Sequence, residues 1–149
     1  MPHHLAQVNI ARMKAPPDSP VMAEFFVAID EINALAEQSE GFIWRLKTPA
    51  GDATEIRAYD DPLILFNLSV WESVEALRQY AYKTMHGKFF ARREEWFTPM
   101  NNAHLALWWI PAGSVPDVIE ARSRLNYLDK HGETSHAFTF RKLVAPPAV

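Results

Sequence analysis

At 149 residues and 48% apolar, the chain has enough to bury one core and too little for two, so one domain is expected over residues 1–149, with its core from Leu5 to Arg141 and a tail after it. A formal charge of -3 with scattered Lys and Arg gives no electrostatic footprint for nucleic acid or an anionic membrane. The absence of cysteine removes disulfides, thiolate nucleophiles and thiolate metal sites.

The elements follow in chain order. Leu5 to Met13 alternates, with Ala6, Val8 and Ile10 on one side and Gln7, Asn9 and Ala11 on the other, which predicts a half-buried strand. After the loop KAPPDSP, Ser19-Pro20 reads as an N-cap and first helical residue. Met22, Phe25, Phe26, Ile29, Ile32 and Leu35 mark the inward stripe of a helix that Gly41 ends. Phe42 to Leu46 is a short strand, and the turn-rich connector beyond it has room for an edge strand at Thr54 to Tyr59. Leu63 to Trp71 is the clearest strand: Ile64, Phe66, Leu68 and Val70 share one face, Leu65, Asn67, Ser69 and Trp71 the other.

Ser73 can cap a helix running through Val74, Leu77 and Tyr80. The stretch YKTMHGKFFARREEWF, Tyr82 to Phe97, predicts another helix. Helical spacing from His86 passes Phe89, Phe90, Arg93, Trp96 and Phe97, so an imidazole and a guanidinium lie on its apolar stripe. Ala103 to Ile110 is a strand closed by Pro111. Ser114 to Lys130 is a last helix with Val118, Ala121, Leu125 and Leu128 inward, and His136 to Phe140 a final short strand.

The order β-α-β-β-α-β, with an appended α-β, predicts an α+β, ferredoxin-like fold with helices on one face of an antiparallel sheet. The other face would be left open, and covering it calls for a second subunit or a ligand. The apolar sets of the first and third strands are expected on the helix side. The open side then carries Gln7, Asn9, Asn67, Ser69 and Trp71, the mixture of polar and aromatic groups that a pocket uses, or that a polar seam or bulk water would also accept. By apolarity Leu105, Leu107 and Trp109 go to the helix side, which sends His104 and Trp108 to the open side. Five tryptophans, Trp44, Trp71, Trp96, Trp108 and Trp109, either build the core or line a cavity.

The segments HLAQVNIAR, NALAEQSEGFIWRLKT, NLSVWES, HGKFFARREEWF, LALWWIPAG and HAFTF, in this order, resemble the bacterial family catalogued as the domain of unknown function numbered 3291. The resemblance implies the dimeric α/β-barrel superfamily, in which two ferredoxin-like subunits join their sheets into a barrel. Its members include antibiotic-biosynthesis monooxygenases, muconolactone isomerase-like enzymes and haem-binding proteins. The family itself carries no established activity.

Several side chains are candidates for chemistry. His86, beside Phe89 and Phe90, is expected to stay neutral and can act as a general base, bond a ligand or bind haem iron; a histidine that opens a helix and bonds a backbone group explains it equally. Arg93 needs an anionic partner or an aromatic face, with Trp71 and Trp96 as stacking candidates. A substrate carboxylate is its functional reading, an ion pair its structural one. Arg92 is expected to pair with Glu95. Asp60-Asp61 before Pro62 is turn chemistry, and no metal centre is expected. No nucleophile elbow, phosphate loop, dinucleotide fingerprint or H-E-x-x-H occurs.

The expectation is a cytoplasmic homodimer that binds a small molecule in a cavity lined by Asn9, Asn67, Trp71, Arg93, Trp96, His104 and Trp108, with no signal peptide or membrane span. Its reaction would need no cofactor: oxygenation of a phenolic or quinol-like compound, or isomerisation by proton transfer, with His86 as base and Asn67 or Asn9 as donor to a developing oxyanion. Haem held by His86 or His104 is the alternative, and a non-catalytic ligand-binding dimer the third reading.

Overall fold

The computed structural model describes residues 3–16, 18–47, 61, 63–85, 91–100 and 103–147. Among these, five strands form one antiparallel sheet: β1 (His3–Met13), β2 (Phe42–Arg45), β3 (Ile64–Trp71), β4 (Phe97–Thr98) and β5 (Leu105–Pro111). The helices are α1 (Ala23–Gln38), entered through a 3-10 turn at Pro20–Met22, α2 (Val74–Met85), the single turn α3 (Arg93–Trp96) and α4 (Val118–His131).

β1 is the axis of the sheet. It pairs with β3 from Leu5 opposite Trp71 to Arg12 opposite Ile64, and on its other side with β5 from His3 opposite Pro111 to Asn9 opposite Leu105. β4 continues that second side, with Met13 opposite Phe97, and β2 adds to the outer edge of β3. With α1 and α2 in the two crossovers, this is the ferredoxin-like arrangement expected. Two glycines with positive φ follow helices. Gly132 caps α4 at φ 74°. Gly41, at φ 84°, lies so close to α2 that a Cβ there would come within 2.4 Å of the Ala76 Cβ, so only glycine fits the turn between α1 and β2.

The faces of β1 and β3 are assigned opposite to expectation, whereas Leu105, Leu107 and Trp109 of β5 lie on the α1–α2 side as expected. Ala6, Val8 and Ile10 pack with Phe66, Leu68, Val70, Ala106, Trp108 and Ile110 against Ala121, Leu125 and Leu128 of α4. Each of these sheet side chains is at most 8% exposed, and the face reserved for a second subunit is covered by this chain's own last helix. The mixed face, with Gln7, Asn9, Asn67, Ser69 and Trp71, lies under α1 and α2 instead. Apolarity misassigned it because α1 and α2 do not press flat on the sheet. They roof a cavity, and a cavity floor tolerates polar groups that a packed layer does not.

Three smaller differences have local causes. Tyr82 to Phe97 is not one described helix. Tyr82 to Met85 end α2, Arg93–Trp96 make one turn, and Phe97 enters β4; His86, Phe89 and Phe90 lie outside the described residues, as does the edge strand at Thr54 to Tyr59. α4 starts at Val118 rather than near Ser114, because Pro116 disfavours helical geometry at Val115 and Asp117 caps the helix by accepting from the Glu120 amide at 2.7 Å. The last strand shrinks to a bridge between Leu107 and Phe138. The Thr139 amide goes to Glu133 at 2.9 Å and the Thr134 amide to the Ala137 carbonyl at 2.9 Å, so local bonds take the groups a longer ladder needs.

Candidate functional site

Between the sheet and the α1–α2 roof lies a cavity of about 500 Å³, within the range of sites for small organic ligands. The strand register builds its floor in rows. Trp71 and Leu5 face each other at one end; Ser69 lies between Arg45 and Gln7 in the next row; Asn67 and Asn9 form the third with Leu105; Leu65 and Ala11 follow. The roof is Ile29, Ile32, Asn33 and Ala36 of α1 and Leu77, Tyr80, Ala81 and Thr84 of α2. Two apolar ends thus enclose a central belt of hydrogen-bonding groups.

That belt is a connected network. The Trp71 indole N–H, which can only donate, bonds the Ser69 hydroxyl at 2.9 Å. The Gln7 amide donates to the same hydroxyl at 2.8 Å and to the Asn67 carbonyl oxygen at 3.2 Å. Asn67 has its acceptor engaged, so its own N–H groups are oriented for another partner. Gln7 and Ser69 are each 6% exposed and serve to hold the network; Asn9 and Asn67 are the solvent-accessible members of the belt.

The ends are aromatic. Tyr80 stacks on Trp71 with ring centroids 5.1 Å apart, and Phe42 meets Trp71 edge-on at 5.5 Å. Opposite, Phe25 contacts Trp96 at 5.5 Å and Phe97 at 5.0 Å. Each such pair adds about 0.5–1.5 kcal/mol beyond simple burial and presents flat faces to a ligand ring. Burial raises the Tyr80 pKa above its ordinary value of 10.0, with a bond from Thr84 and the Arg45 charge opposing. At neutral pH its hydroxyl is therefore protonated.

The expected site residues divide. Asn9, Asn67, Trp71, Arg93 and Trp96 come together around the cavity. Trp108 does not: it lies on the α4 face, where its indole donates to Glu120 at 3.1 Å and Arg124 sits 5.6 Å from its ring centre. Its register opposite Ala6, rather than Gln7, puts it there. His104 is exposed just before β5, and its carbonyl accepts from the Ile10 amide at 2.9 Å. His86 lies outside the described residues. The stacking foreseen for Arg93 belongs to Arg92, which sits 4.8 Å over Trp96 and pairs with Glu24 and with Glu95, the latter at 2.9 Å.

Sequence reasoning missed Asn33, Arg45 and Tyr80. Asn33 is 8% exposed and lines the roof of the cavity. One polar residue following Ile29 and Ile32 on an inward stripe was the available signal. Arg45 needed the register opposite Ser69, and Tyr80 the stack on Trp71; neither is visible in spacing.

As for metal and haem, no group of three or more His, Asp or Glu is placed to hold an ion among the described residues. Haem fits the described walls poorly. They offer no imidazole to hold the iron. No described helix is long and apolar enough to cross a membrane.

Among solved structures the chain is similar to SnoaB, a cofactor-independent oxygenase from Streptomyces nogalater. In a mutant form the identity is 15%, over 76% of this chain and 98% of that one, with a TM-score of 0.47. A second SnoaB structure gives 16%, 78% and 100%, with 0.42. A protein of unknown function from Nitrosomonas europaea, NE2512, gives 12%, 77% and 96%, also with 0.42. No curated protein matches it. The family described as Domain of unknown function (DUF3291) matches residues 4–149, and the chain belongs to that family.

Proposed function

We propose that the protein binds a planar aromatic small molecule in this cavity and promotes oxygenation of its deprotonated, phenolate form by dioxygen. The observation that carries the reading is the amide belt of Asn9 and Asn67, set between two aromatic ends. A ring stacks at an end, and its oxygen meets oriented N–H donors whose bonds strengthen as negative charge develops. Asn67 is the donor whose direction is best set, because Gln7 occupies its carbonyl. His86 remains our candidate base. The superfamily implied by the sequence resemblance includes monooxygenases, which agrees with the reading.

The net chemistry balances without another reductant. A phenol with a ring C–H opposite its hydroxyl, plus one dioxygen, gives a quinone and one water, and the substrate supplies all four electrons. A panel of hydroxynaphthalenes, followed by tryptophan fluorescence, oxygen uptake and quinone absorbance, tests it. Saturable binding and turnover are expected, with Asn67→Leu lowering kcat by about 10²-fold, the scale of losing one oxyanion donor. Failure of every panel member to bind would defeat the reading.

A further inference from the structure

Ser69 stands at the centre of the hydrogen-bonded belt. Its Oγ accepts from the Trp71 indole N–H at 2.9 Å and from the Gln7 carboxamide N–H at 2.8 Å. Both nitrogens can only donate, so the two acceptor positions of the hydroxyl are filled and its own proton is left to be given. Accepting twice also polarises the O–H and strengthens it as a donor. Ser69 lines the cavity together with Asn67, two residues away on the same strand.

The network sets the spacing of these two donors. One Gln7 nitrogen reaches the Ser69 hydroxyl at 2.8 Å and the Asn67 oxygen at 3.2 Å. The two N–H groups of an amide diverge, which puts the Ser69 Oγ about 5 Å from the Asn67 carboxamide oxygen. By ordinary bond lengths, oxygens at opposite positions of a six-membered ring are also about 5 Å apart.

Resting on the oxygenation reading above, we propose that Asn67 and Ser69 form a two-donor site for a ring oxygenated at opposite positions. Asn67 holds the phenolate oxygen, and the Ser69 hydroxyl meets the oxygen that the reaction adds across the ring. Dioxygen bonds to the ring carbon opposite the phenolate, which supplies the electrons, and the peroxide so formed carries the negative charge. Ser69 donates to that peroxide, a bond that does not exist in the bound substrate. Protonation gives the hydroperoxide. The C–H proton on the same carbon then goes to a base, its electron pair forms the second carbonyl, the O–O bond breaks, and the departing hydroxide is protonated to water.

Two probes separate the roles: 1-naphthol, with one oxygen, and 1,4-naphthoquinone, with both. The chain has no thiol to trap the quinone. Each is titrated into the full chain by calorimetry, and 1-naphthol turnover is followed by oxygen uptake. Ser69→Ala is expected to weaken the quinone about tenfold, the scale of one buried hydrogen bond, and 1-naphthol by less than about twofold. With 1-naphthol, kcat should fall about tenfold or more while KM stays nearly constant. Ser69→Thr, which keeps a hydroxyl, should restore quinone affinity and kcat. Ser69→Cys, a weak donor, should repeat the loss and keeps the test open if Ser69→Ala does not fold. Equal weakening of both probes would mean that Ser69 serves only to hold Asn67 through Gln7. That result, or an unchanged quinone affinity, overturns the two-donor site while leaving the cavity a binding site. Selective loss of the quinone in a protein that takes up no oxygen upholds the site and defeats the oxygenation. Binding of neither probe to the wild type overturns both.

Discussion

The two faces of the sheet use the same strands for opposite ends. On the α4 side, every sheet residue from Ala6 to Ile110 in the cluster is apolar and at most 8% exposed. On the α1–α2 side, the neighbouring residues of the same strands are amides, a serine and an indole around about 500 Å³ of space. A fully buried apolar side chain contributes about 1.5–3 kcal/mol, so the first face carries the stability. The second gives up part of that burial for groups that a ligand can use. A strand with alternating character is therefore not always polar-out and apolar-in; here both sides are covered by helices, and the polar side borders the cavity.

Substitutions that strike one face and spare the other can break this contrast. The largest effect is expected for Trp108→Ala, which empties a fully buried site on the α4 side: about 3–5 kcal/mol lost in denaturant unfolding, with probe affinity of the folded fraction unchanged. Gln7→Leu, on the cavity side, should cost about 1–2 kcal/mol by leaving the Asn67 oxygen without its donor, and should weaken probe binding as Asn67 loses its orientation.

A sharper version is Asn33→Leu. It replaces a cavity-lining amide by an apolar side chain of similar size, so stability should change by no more than about 1 kcal/mol while probe affinity falls. A loss as large as that of Trp108→Ala would mean that the roof is packed core and not a binding wall.

The smallest effect concerns pH. Burial holds the Tyr80 proton past its ordinary pKa of 10.0, whereas the unfolded chain releases it there. The unfolded state then binds fewer protons, so stability falls as pH rises from about 10 toward the folded value. Thermal unfolding from pH 9 to 11 should show that slope, and Tyr80→Phe should flatten it.

Much of the fold was legible because it rests on local periodicity. The alternation of Leu5 to Met13 and of Leu63 to Trp71 marked β1 and β3, and Val118, Ala121, Leu125 and Leu128 marked the stripe of α4. Even the polar belt was visible as Gln7, Asn9, Asn67, Ser69 and Trp71 sharing a face. Which layer covered that face was not, because periodicity describes one element and a covering layer is a relation between several. Trp108 shows the cost: its alternation with His104 was correct, but the face it shared with Ala6 emerged only from the register. Arg45 was opaque for the same reason, its meaning depending on Glu37 of α1 and Ser69 of β3.

The register carries one more consequence. Leu5 opposite Trp71 and Asn9 opposite Leu105 join odd numbers to odd numbers, and the whole ladder preserves that parity. Along β1 and β3, the odd-numbered positions from Gln7 to Ala11 and from Leu65 to Trp71 therefore line the cavity, while most even-numbered ones pack against α4. Among natural variants of this chain, polar exchanges should concentrate at those cavity-lining positions, while the even ones vary only as volume permits.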